Sequence, residues 1–74
     1  MSEHRYRIVV RGVIGKAARQ AFAGLKIEQT GSDTALCGAL DQAALFGALS
    51  RVEALGLELV EVVREDWIRA MSGA

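Results

Sequence analysis

One pattern, written twice within 74 residues, constrains this chain more than any other feature. An alternating stretch leads into a helix-forming stretch, and a glycine then opens a second alternating stretch. In the first unit that last part is Gly24-Leu25-Lys26-Ile27-Glu28, and in the second it is Gly56-Leu57-Glu58-Leu59-Val60. Tyr6-Arg7-Ile8-Val9-Val10-Arg11 alternates and is rich in β-branched residues, which predicts a strand. The alanine-rich run from about 14 to 22 has high helix propensity and sets Ala18, Ala21 and Phe22 on one face. Gly24 is expected to end that helix in the left-handed conformation. Residues 25–30 alternate again, Gly31-Ser32-Asp33 has the composition of a tight turn, and 34–40 return as a third strand. Asp41 suits the N-cap of a second helix, whose buried stripe is Leu45, Ala48, Leu49, Val52 and Leu55. Gly56 ends it, and 57–63 supply a fourth strand.

Two βαβ halves joined by a hairpin predict an α+β fold. It is a ferredoxin-like βαββαβ two-layer sandwich, with two helices on one face of a four-stranded antiparallel sheet and strands one and three at its centre. The same two layers with a different strand order are the competing topology. Residues 6–63 make a single domain, 1–5 a flexible N-terminus and 64–74 a C-terminal tail. From Asp66 the tail can form one or two helical turns, with Trp67 and Met71 on a shared face. A chain this short buries only roughly 60% of its unfolded surface, and small domains often add to such a core by pairing with a second copy.

Charge and cysteine usage exclude several classes of function. The formal net charge is zero, so the broad field that non-specific nucleic-acid or anionic-membrane binding needs is missing. Cys37 and His4 are the only residues of their kinds, too few for an internal disulfide or a structural zinc site. Neither a signal peptide nor a membrane-spanning run is legible, which leads to the expectation of a cytoplasmic protein. No nucleophile is matched with a base. His4 lies in the terminus, and the Glu65-Asp66 pair reads as a solvated helix start. The expectation is a protein without catalytic residues, metal or cofactor.

The segment from Asp41 to Leu49, continuing through Arg51-Val52 to Leu55-Gly56-Leu57-Glu58-Leu59, carries a resemblance. Together with Gly31-Ser32-Asp33-Thr34-Ala35-Leu36 and the small residue Gly38, it resembles a pattern in short uncharacterised bacterial proteins, particularly of actinobacteria. The resemblance covers roughly residues 6–63. It implies a stand-alone ferredoxin-like domain and transfers no functional residue. The order of elements is also similar to ACT-type regulatory domains, although Arg11 stands where those domains usually place an acidic residue after the first strand.

Alternation assigns Tyr6, Ile8, Val10, Leu25, Ile27, Leu36 and Leu40 to the helix side of the sheet. The open side then carries Arg7, Val9 and Arg11, Ala35, Cys37 and Ala39, with Leu59 and Val63 from the fourth strand. A one-residue slip there exchanges Leu59 and Val60. With Trp67 and Met71 from the tail, these residues form the expected interface for a second copy or a protein partner. The competing reading is a solvated sheet whose charges pair across strands. RNA-binding domains of this fold stack bases on aromatics of the two central strands, and no aromatic stands at those positions. Gly12, Gly15 and Lys16 form a candidate loop for an anion or small ligand at a helix start, beside the plainer reading of glycines that let a strand turn into a helix. Cys37 is either a redox-sensitive thiol activated by Arg7 or Arg11, or a small apolar filler. The expected function is a non-enzymatic module that homodimerises or docks a protein through the open face. An ACT-like small-ligand sensor is the alternative.

Overall fold

The structure is a computed structural model and describes residues 2–65. Six elements follow in the order β1 (His4–Arg11), α1 (Lys16–Ala21), β2 (Lys26–Thr30), β3 (Asp33–Leu40), α2 (Gln42–Ala54) and β4 (Leu59–Arg64). The strands form one antiparallel sheet in the order β2-β3-β1-β4, the ferredoxin-like arrangement, with β1 and β3 at its centre. Both central strands are long and pair over their whole length, from His4 with Leu40 to Arg11 with Asp33. The first strand therefore starts at His4, two residues earlier than alternation suggests, because β3 runs to Leu40 and offers partners that far.

The helices cover one side of this sheet. Ile8, Val10 and Leu36 from the central strands pack with Phe22, Ala48 and Val52 beneath α1 and α2. Ile8, Val10 and Leu36 are fully buried, as alternation requires. Ile14 joins the same core from the loop ahead of α1 instead of from within the helix, which begins only at Lys16.

Helix ends show how local chemistry fixes these boundaries. At the start of α2 the Ala44 amide donates to Asp41 Oδ1 at 2.7 Å, satisfying one of the helix's orphan donors. At its other end the Leu57 amide donates to the Val52 carbonyl and the Gly56 amide to the Glu53 carbonyl, both at 3.0 Å. With Gly56 at φ +72°, this is a Schellman motif, and it brings Leu57 back toward the core. Leu55, expected in the buried stripe, sits at the cap and is exposed. Leu57 takes the contact in its place.

Gly24 departs from its expected role. Its φ is not positive, because α1 ends through two tight turns: the Phe22 amide donates to the Arg19 carbonyl and the Leu25 amide to the Phe22 carbonyl. Neither requires a left-handed residue. The β2–β3 hairpin does require one at Gly31, whose φ is +63° while Ser32 keeps a negative φ, the pattern of a type II′ turn.

Candidate functional site

The side of the sheet away from the helices was the expected docking surface, and the register places its residues. Val9 faces Ala35 across the two central strands, and Arg7 faces Cys37. Glu61 and Val63 flank them from β4, while Lys26 and Glu28 do so from β2. Val9, Ala35 and Cys37 form a second apolar cluster of their own, and each is at most 6% exposed. The apolar centre of this face is therefore already covered within one chain. The residues that remain exposed there are Ala39 and the charged side chains around it. Lys26 and Glu28 approach to 3.8 Å, and Arg11 Nε lies 3.3 Å from Glu58 Oε2, all four side chains being well exposed.

Leu59 is not on that face. From Arg7–Val63 to Val9–Glu61 the β1–β4 ladder is regular, and it then jumps to Val10–Leu59, leaving Val60 as an extra, bulged residue. The bulge returns Leu59 to the helix side opposite Val10, where it lines a groove with residues of α2. Trp67 and Met71 lie outside the described residues.

Cys37 has the properties of a packed thiol. Burial comes first in pushing its pKa up, Glu65 adds to the rise, and Arg7 opposes it. The arginine expected to activate this sulfur is thus outweighed, and the protonated form is favoured.

The strand-to-helix loop is occupied by the chain itself. The Gly12 amide donates to Asp33 Oδ1 at 3.2 Å, and the buried Thr34 hydroxyl donates to the Gly12 carbonyl at 2.6 Å. Gly12 adopts φ +85°, so a glycine is needed to place both groups against the start of β3. Gly15 precedes a helix of only six residues, with no side-chain cap, and Lys16 is exposed at its first position. The geometry explains Gly12 as a clamp between β1 and β3.

What the molecule does expose is an apolar flank along β4 and α2. Phe46 is 56% exposed, Leu59 46%, Val60 44% and Val62 38%. Phe46 stands between two shallow grooves, one of about 540 Å³ shared with Leu49, Val52, Leu57 and Leu59, the other of about 380 Å³ shared with His4, Tyr6 and Leu45. Sequence reasoning already made strand four an edge, but by treating 57–63 as one regular strand it set Leu59 on the open face and missed the groove that Leu59 shares with Phe46. Among the described residues, no group of three or more His, Cys, Asp or Glu side chains is placed to hold a metal ion, and no helix is long and apolar enough to cross a membrane.

No curated protein and no solved structure matches this chain. Residues 5–63 match the model of a domain of unknown function, DUF8691, a span that runs from β1 to β4 and takes in the β4 bulge. The chain belongs to that DUF8691 family.

Proposed function

We propose that this protein is a non-enzymatic interaction module that works as a homodimer, and that its contact surface is the β4–α2 flank. One observation carries the reading: Phe46 of α2 and Leu59 of β4, each more than a third exposed, line one groove together, and Val60 and Val62 of the same strand are exposed as well. Isolated exposed apolar residues are ordinary, but a contiguous set marks a surface that another protein covers. Large aromatic side chains such as Phe46 are the usual anchors of such contacts. The open sheet face, by contrast, has little accessible apolar area left to contribute, since Val9, Ala35 and Cys37 are buried already. A lone, unpaired cysteine suits a reducing compartment, which supports the cytoplasm as its place of work.

Sedimentation equilibrium of the full chain between about 1 and 200 µM tests this directly. A dimer with a dissociation constant in or below that range is expected, and Phe46→Ser is expected to weaken it by about tenfold or more, equivalent to about 1.4 kcal/mol. A wild-type chain that remains monomeric throughout would overturn the reading.

A further inference from the structure

The end of β4 delivers the chain beside a groove. In the β1–β4 ladder Val62 stands opposite Ile8 and Arg64 opposite Tyr6. Ile8 belongs to the core under the helices, so this row of residues is on the helix side of the sheet. There Tyr6 lines the groove of about 380 Å³ that it shares with Leu45 and Phe46 of α2 and with Ser2, His4 and Gln42. Beyond Glu65 the sequence continues Asp66-Trp67-Ile68-Arg69-Ala70-Met71, with the chain's one tryptophan three residues past Arg64.

We propose that residues 66–71 dock in this groove of their own chain, with Trp67 and Met71 against Tyr6, Leu45 and Phe46. Distance permits it. Neighbouring strands lie about 4.8 Å apart, so Arg64 is next to the groove wall, and three further residues span at most roughly 10 Å. The chemistry matches as well. An indole and a thioether suit the apolar Leu45 and Phe46, and the polar rim at Ser2, His4 and Gln42 offers the indole N–H an acceptor. Helical spacing sets Trp67 and Met71 on one face, with Glu65 and Arg69 on the opposite one. Glu65 lies toward the open side of the sheet, close enough to Cys37 to raise its pKa. The apolar face is then turned away from the open side and toward the groove. Tethering selects this segment over a second copy's. Joined so closely, it sees the groove at an effective concentration of about millimolar, so a contact of modest affinity fills the groove from within. Docking covers one flank of Phe46 and leaves the other, shared with Leu57 and Leu59, for the homodimer contact. The inference goes beyond that contact and does not depend on it.

The test uses the full chain carrying Cys37→Ala and Gln42→Cys, with a bimane fluorophore on the new thiol. Gln42 is exposed at the start of α2 and borders the groove. Ala39→Cys in the same background puts the label on the open face at the same end of the sheet, beside Arg5. Circular dichroism checks that each variant folds. Tryptophan quenches a bimane only near contact, so the label at 42 is expected to lose about twofold or more of its emission relative to the same chain with Trp67→Phe, and the label at 39 none. A second measurement needs no label: Trp67 of the unmodified chain is expected to emit to the blue of the urea-unfolded chain, equally at about 1 and 100 µM. A label at 42 that Trp67 leaves bright, or a Trp67 that emits as it does in urea, would overturn the proposal. Quenching at 39 instead would overturn it by assigning the segment to the open face. Quenching of a labelled Trp67→Phe chain by added unlabelled chain would overturn it by showing that the segment crosses to a second copy. Quenching at 42 in a protein that sediments as a monomer would support the docking and overturn the homodimer reading alone.

Discussion

β2 and β4 hold the same position in the architecture, each at an edge of one sheet, yet they are built in opposite ways. β2 is five residues long, pairs with β3 without interruption and carries Lys26 and Glu28 on its exposed side. β4 has four apolar residues of six, carries exposed Glu61 and Arg64, and is broken by a bulge at Val60. A bulge is one device by which edges resist pairing, but this one sits at the beginning of the strand and leaves Glu61 to Arg64 regular. The difference teaches that one sheet can guard its edges by different means: β2 with Lys26 and Glu28 on an unbroken strand, β4 with a bulge beside Glu61 and Arg64.

The strongest way to break the comparison is to remove the guard from β2. Lys26→Val combined with Glu28→Val strips the charge from β2 and leaves that edge open to pairing with further chains. Light scattering at about 50 µM is expected to show growth well beyond the dimer within hours, whereas the wild type stays at one mass. A double variant that remains dimeric would mean that charge on β2 is not what keeps that edge solitary.

Turns beside the two edges sharpen the comparison at a smaller scale. Gly31 leaves β2 at φ +63° and Gly56 enters β4 through the Schellman motif at φ +72°, and a Cβ at either position meets open space. Substitution by alanine is thus strained by backbone conformation alone, costing about 1–2 kcal/mol at each site. Thermal or urea unfolding is expected to show similar losses for both. Gly56→Ala should in addition weaken the dimer several-fold, since Gly56 fixes the path of Leu57 into the groove beside Phe46, and Gly31→Ala should not.

Much of the fold was legible because its signals are local and agree with one another. Alternation in β1 and β3 sorted Ile8, Val10 and Leu36 from Val9, Ala35 and Cys37 onto the correct sides. Asp41 and Gly56 marked the ends of α2 through their own chemistry. β4 defeated the same reasoning, because Leu57-Glu58-Leu59-Val60-Glu61-Val62-Val63 is apolar in both registers and pattern alone does not reveal which residue a bulge will skip. The flank was hidden for a related reason. The strand order that makes β4 an edge was expected, but the bulge that moves Leu59 to the helix side beside Phe46 was not. Gly24 showed the reverse error: a glycine in the expected place, next to a helix that ends by tight turns and has no need of it.

Cys37 lies between the two edges and senses both of them electrostatically. Burial raises its pKa most, Glu65 just beyond β4 raises it further, Arg7 lowers it, and of the β2 pair Glu28 raises it while Lys26 lowers it. A thiol whose folded pKa exceeds its unfolded one holds its proton more tightly in the native state. Its contribution to stability is complete below the unfolded value and declines as pH rises from about 8.5 toward the folded value. Urea midpoints between pH 7 and 10 are therefore expected to fall for the wild type and to fall less for Cys37→Ala. Glu65→Gln removes one cause of the raised pKa and should make the decline shallower, while Lys26→Val removes an opposing charge and should make it steeper. Identical slopes in the wild type and Cys37→Ala would show that the thiol carries no proton linkage and that other groups govern the alkaline limb.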